Sequence, residues 1–197
     1  MRDRFHSLPL YSLAPGASFV RPRQQLPESV TPETPAVFVM TDLRQVPAVT
    51  VSPRTTINAA LERMRRKNVR MLFVTDEDDT LLGLITTTDI QGEKAIRYLE
   101  QNGSSRDDIL VSHLMTPQQR FEVLDLDEVL RARVGDVVAT LRTAGRQHAL
   151  VVEGLIVGRP IVRGIFSATQ IGRLLNETID TVGAARSFAE LERALHA

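Results

Sequence analysis

An eight-residue motif occurs twice in this chain. Gly83-Leu84-Ile85-Thr86-Thr87-Thr88-Asp89-Ile90 is answered by Gly164-Ile165-Phe166-Ser167-Ala168-Thr169-Gln170-Ile171. In each copy a glycine opens a short apolar strand, a hydroxyl residue follows three positions later, and a helix-start pattern comes next. Such a strand-to-helix junction has free backbone N–H groups and the positive end of a helix dipole, which attract anions such as phosphate. Asp89 accepts hydrogen bonds only, so it suits the two hydroxyls of a ribose. Equally, a carboxylate in a first helical turn stabilises the helix by about 0.3–1 kcal/mol without binding anything. The second copy has Gln170 at this position.

The order of elements around the motif is also repeated. Ala48-Val49-Thr50-Val51 reads as a strand punctuated by Pro47 and Pro53. Thr55 is placed to cap a helix whose apolar face is Ile57, Ala60, Leu61 and Met64, at i, i+3, i+4 and i+7. Met71 to Thr75 is a buried-type strand, Asp76 to Asp79 a turn, and Leu81 to Ile85 the returning hairpin strand. After Asp89 a helix with Ile90, Ala95, Ile96 and Leu99 runs to the breaker Asn102-Gly103. The series then restarts: Met115-Thr116 matches Met40-Thr41, Val123-Leu124 matches the first strand, and Val134, Val137, Val138 and Leu141 repeat the helix spacing before Gly145. Met40 to Met115 is an offset of 75, Ile57 to Val134 of 77 and Gly83 to Gly164 of 81. Small steps of this kind are what loop insertions in an internal duplication produce.

Composition narrows the functional classes. Lys and Arg (24) balance Asp and Glu (24), so no overall field favours nucleic acid or an anionic membrane, and nucleic acid is not expected as a partner. Zero Cys removes thiolate chemistry and fits a reducing compartment. The four histidines are scattered without a zinc spacing, so no metal site is expected. No nucleophile elbow or P-loop lysine motif is present, so the chain reads as a non-enzyme. With no leading apolar segment and no run approaching the roughly 20 residues of a membrane span, the expected location is the cytoplasm.

The duplicated order, with its two M-T leaders and two Gly-x-x-[ST] endings, resembles a tandem pair of CBS (cystathionine β-synthase) domains, a Bateman module, over about residues 37 to 177. The resemblance implies an α/β fold of two β-α-β-β-α repeats packed about a pseudo-twofold axis, with two clefts that take AMP, ADP, ATP or S-adenosylmethionine. It implies a regulatory role, with no cofactor required. Carried over residue by residue, it implies a first site of Asp89 for ribose, Thr86 towards phosphate, Val49, Thr50 and Val51 around the adenine and Met71 and Leu72 against the base, with Thr87, Arg70 and Ile85 also in the site. A weaker second site would hold Ser167, Gln170, His148 and Phe166. The residue before the aspartate is often basic in the family and reaches phosphate. Here it is Thr88, and in the second copy Thr169, so Arg65, Arg66, Arg70, Arg142, Arg146 and Arg163 are the candidates for that charge.

The expected division is therefore an extended Pro-rich arm at 1–36, repeats at 37–108 and 109–177, and a helical tail at 178–197. The arm holds six of the ten prolines, which exclude helix and central strand. Ser187 with Glu190 forms a capping-box pattern in the tail. A homodimer is expected from the family's habit, and a protein partner remains unidentified. The alternative function is a constitutive interaction module whose clefts stay free of ligand.

Overall fold

A computed structural model describes residues 24–103, 105–155 and 160–181. The tail's capping box and most of the arm lie outside the described residues. The strands are β1 (Thr41–Asp42), β2 (Thr50–Val51), β3 (Met71–Thr75), β4 (Leu81–Thr86), β5 (Thr116–Pro117), β6 (Val123–Asp125), β7 (His148–Glu153) and β8 (Ile161–Ser167). The helices are α1 (Ile57–Lys67), α2 (Thr87–Gln91), α3 (Glu93–Asn102), α4 (Val111–Leu114), α5 (Leu126–Val129), α6 (Val134–Ala144) and α7 (Ala168–Leu175). The α/β class and the duplication are both visible in this order: α1 and α6 each have 11 residues and sit between equivalent strands.

The two sheets are not each built from one repeat. One runs β2-β3-β4-β5 and the other β6-β7-β8-β1, so each repeat ends its sheet with the leader strand of the other. Thr41 and Asp42 pair antiparallel with Ile165 and Gly164, and Thr116 and Pro117 pair with Leu84 and Gly83. The core follows the same exchange. Ala36, Val39 and Met40 are buried with Val134, Leu141 and Phe166, while Ile109, Val111 and Leu114 are buried with Ile57, Met64 and Ile85. Backbone bonds fix both crossings: Val111 N donates to Thr55 O at 2.8 Å, and Val134 N donates to Thr34 O at 2.8 Å. This reciprocity is the two-fold relation between the repeats.

The glycines opening the two motifs make the exchange possible. A Cβ on Gly83 would lie 2.6 Å from Thr116 O and 3.2 Å from Met115 Sδ, and a Cβ on Gly164 would land on the Met40 side chain. Each leader's Met-Thr thus rests against the other repeat's glycine.

Sheet alternation accounts for the unbroken apolar run of β3. Leu72 and Val74 pack against the helices of the first repeat, while Met71 and Phe73 face the second sheet beside Leu150. A strand buried on both faces reads as continuously apolar.

Local details depart from the sequence reading in four places. Thr56, not Thr55, caps α1, its hydroxyl accepting from Ala59 N. Of the Ala48–Val51 segment only Thr50–Val51 is strand. The single helix expected after Asp89 is broken at Gly92, whose extended ψ of -169° separates α2 from α3, and Ile96 is 53% exposed rather than buried. The offset is also not steadily rising. Thr50 pairs with Phe73 and Val123 with Leu150, which gives 73 at these strands, and α5 is the turn inserted before α6 restores 77.

The described end of the arm, residues 24–35, lies on the second repeat. Val30 N donates to Leu174 O at 3.0 Å, and the Gln24 amide bridges the free edge of β1 by donating to Met40 O and accepting from Asp42 N, both at 2.7 Å.

Candidate functional site

Each strand-to-helix junction is held by its hydroxyl residue. Thr86 caps α2: its Oγ1 accepts from Asp89 N at 3.2 Å, and Asp89 Oδ2 accepts from Thr86 N at 2.9 Å and from the Thr86 hydroxyl at 2.7 Å. Asp89 Oδ1 accepts from Lys94 Nζ at 3.0 Å. Asp89 is thus a capping-box carboxylate with an ion pair. In the second copy Ser167 caps α7, and Gln170 Nε2 donates to Val39 O at 3.2 Å, tying the amide to the leader segment of the first repeat.

Each junction opens on a cleft walled by both repeats. The Asp89 cleft, about 360 Å3, is lined by Leu84, Thr86, Thr88 and Asp89 from the first repeat, and by Thr116, Phe121, Leu150 and the Gly145–His148 turn from the second. The Gln170 cleft, about 530 Å3, is its counterpart. It takes Ile165, Ser167, Thr169 and Gln170 from the second repeat, and Thr41, Arg65 and the Asn68–Met71 turn from the first. Both fall within the roughly 300–1,000 Å3 of small-molecule sites.

The expected site residues therefore separate. Thr86 and Asp89 line one cleft, and Ser167 and Gln170 line the other. Arg70, Met71 and Thr87, expected beside Asp89, line the Gln170 cleft, and Arg70 donates to Thr169 Oγ1 at 3.3 Å. The reason is the crossing: the helix-to-strand turn of one repeat faces the strand-to-helix junction of the other. His148, expected in the second cleft, lines both. Leu72, Ile85 and Phe166 line neither cleft, being core residues at 0% exposure. Val49, Thr50 and Val51 lie by the edge strand β2, on the far side of β3 from β4. Val49 packs on the first core, and Thr50 and Val51 open on a different hollow with Arg54 and Asp76.

Phe121, Thr116, Gln147 and Arg173 line the clefts without having been singled out from the sequence. The offset of 77 equates Gln147 with Arg70 and would have pointed to it.

The electrostatics of the clefts differ. Beside Asp89 every cation has a carboxylate: Lys94 pairs with Asp89, and Arg146 with Glu122 at 2.5 Å. In the Gln170 cleft three arginines line the wall and, among the described residues, no Asp or Glu does. Half-buried His148 lines both clefts, and burial together with the Arg70 charge pushes its pKa down to about 4, so it is neutral at pH 7. Among the described residues no group of three His, Cys, Asp or Glu could hold a metal ion, and no helix is long and apolar enough to cross a membrane.

Comparison with known proteins agrees with this architecture. Residues 37–95 match the family model of the CBS domain. No curated protein matches the chain. Among solved structures, a conserved protein from Pyrococcus horikoshii is 22% identical, with 72% of this chain and 92% of that chain covered and a TM-score of 0.52. CBSX2, a CBS-pair protein from Arabidopsis thaliana, is 21% identical over 81% of this chain and 97% of its own, with a TM-score of 0.45. CBSX2 in complex with AMP is 18% identical over 81% and 98%, with a TM-score of 0.47. Residues 37–95 thus match a CBS domain, and the second repeat, which has the same element order and exchanges strands with the first, makes the chain similar in fold to a tandem pair of them.

Proposed function

We propose that this CBS pair is a cytoplasmic, non-catalytic regulator that binds an adenosine-containing ligand, AMP, ADP, ATP or S-adenosylmethionine, in the Asp89 cleft and signals to a protein partner. The composition of that cleft carries the reading: Leu84, Phe121 and Leu150 offer apolar surface for a flat base, and Thr86, Thr88, Asp89 and Thr116 line the same cleft with polar groups. The capping bonds hold the Asp89 carboxylate in place before any ligand arrives, which lowers the cost of binding. Of the carboxylate's roughly four acceptor positions Thr86 takes two on Oδ2 and Lys94 one on Oδ1, so a ribose hydroxyl adds on Oδ1, and a second one displaces Lys94. Because both repeats line the cleft, a ligand with different affinity for two arrangements of repeats 37–108 and 109–177 shifts the balance between them.

The second reading, a constitutive interaction module, is favoured by the engagement of Asp89 with Thr86 and Lys94 and of Gln170 with Val39. Thermal denaturation of the full chain with each adenosyl compound, against ribose 5-phosphate as control, separates the two. A ligand present at a hundred times its Kd adds about 2.7 kcal/mol of stability. No shift with any of the four compounds leaves the interaction module.

The regulator is further read as a homodimer. Phe38, Ile96 and Leu130 are each more than half exposed, apolar surface that a second copy would cover. Light scattering should give twice the 21.9 kDa of one chain, and a monomeric mass removes this element.

A further inference from the structure

We propose that the Gln170 cleft is an oligophosphate site that requires no ribose, taking either the phosphate tail of a nucleotide or a free inorganic chain. Three arginines, the exposed Arg65, Arg70 and Arg173, line this one hollow of about 530 Å3. Among the described residues none of the three has a carboxylate partner, and Arg70 has only the neutral Thr169 hydroxyl at 3.3 Å. Like charges facing a partly enclosed space repel and focus a positive potential in it. An anion with several charged oxygens relieves that repulsion, and guanidinium groups match phosphate through paired N–H donors.

The neighbouring groups fit the same ligand. Thr41, Thr87, Ser167 and Thr169 line the cleft with hydroxyls. Where the first copy has Asp89, the second has a neutral amide whose Nε2 is already bonded to Val39 O, so nothing there repels phosphate or calls for a ribose diol. The low pKa of His148, caused by burial and then by the Arg70 charge, registers the positive potential. Arg65 and Arg173 also lie in the last turns of α1 and α7, where a cation meets the helix dipole favourably. That accounts for a charge at each helix end, but not for the convergence of both with Arg70 on a hollow without a carboxylate.

This site stands apart from the nucleoside reading of the Asp89 cleft and is tested separately. Calorimetric titration of the full chain with sodium tripolyphosphate, orthophosphate, AMP and ATP gives the ligand order. Tripolyphosphate should bind at least about 10-fold more tightly than orthophosphate. Arg70→Gln and Arg173→Gln should each weaken it about 10-fold or more, the effect of losing a hydrogen bond from a charged donor. Arg131→Gln, the same charge change at an exposed position outside the cleft, should leave the affinity unchanged. ATP binding that is tighter than tripolyphosphate and is weakened by Arg70→Gln and Arg173→Gln upholds the site with a nucleotide as the source, and tripolyphosphate binding weakened by both variants while ATP binding is not upholds it with a free chain as the source. Absence of tripolyphosphate binding overturns the proposal. So does affinity undiminished in both cleft variants, or lost equally in Arg131→Gln.

Discussion

Asp42→Ala is expected to lower folding stability by about 3 kcal/mol, although Asp42 belongs to a strand of only two residues. The Asp42 carboxylate is buried, at 8% exposure, and accepts from Arg44 N at 2.8 Å, from Gln45 Nε2 at 3.2 Å and from Arg163. Arg163 lies in β8, so this ion pair fastens the leader of the first repeat to the sheet of the second. Removing one partner leaves a largely buried guanidinium, and stranding a buried charge typically costs about 3–5 kcal/mol. Glu153, 3.5 Å from Arg163 Nε, limits the loss to the lower end. Urea denaturation should show a reduced midpoint with an unchanged slope.

The same carboxylate gives the effect a pH dependence. Burial alone would raise its pKa, but hydrogen bonds from Arg44, Arg163 and Gln45 outweigh that and hold it below 3.8. Its contribution is therefore complete above the unfolded value and lost as pH falls through the folded one, so the variant's stability curve should be flatter in that acid range. A curve and midpoint like those of the parent would mean that the pair does not hold the strand.

Gly83→Ala is expected to cost about 2–3 kcal/mol, more than Gly164→Ala. The new Cβ would sit 2.6 Å from the Thr116 carbonyl, and a backbone atom paired in the sheet moves only if β5 moves. Overpacking of this sort typically costs about 1–3 kcal/mol. At Gly164 the obstacle is the Met40 side chain, which can change rotamer at a smaller cost. A double-mutant cycle should therefore show Met40→Ala partly rescuing Gly164→Ala, while Met115→Ala does not rescue Gly83→Ala. Equal costs at both glycines, or rescue at both, would contradict the strand exchange as described.

The strand exchange marks the limit of what sequence reading reached. Helix faces were legible because their signal is local: Ile57, Ala60 and Met64, and Val134, Val137, Val138 and Leu141, are buried as the spacing required, and Leu61 is partly buried and lines the Gln170 cleft. The helix starts after the motif strands were legible for the same reason, but which threonine caps the first was not: Thr86 does, bonded to Asp89. Which sheet edge accepts Thr41 or Thr116 depends instead on packing between distant segments, and nothing in Met40-Thr41 names Gly164 as its neighbour. That gap carried into the site. Arg70 and Met71 stand at the start of the strand that pairs with β4, so they read as companions of Asp89, yet both line the cleft at the junction of the other repeat. The break at Gly92 was hidden because Ile90, Ala95 and Leu99 keep an apolar face compatible with one continuous helix.

The most direct measurement of the central claim is calorimetric titration of AMP into the parent chain and into Asp89→Asn. The substitution keeps an acceptor for Thr86 but weakens the cap, so about 1 kcal/mol of folding stability should go, leaving the protein folded for the assay. If the ribose is read by this carboxylate, the parent binds AMP and the variant binds it about 10-fold to 100-fold more weakly, the equivalent of one hydrogen bond to a charged group. Equal affinity in both proteins, or no adenosyl binding by the parent, would contradict the claim and leave Asp89 as a helix-capping carboxylate paired with Lys94.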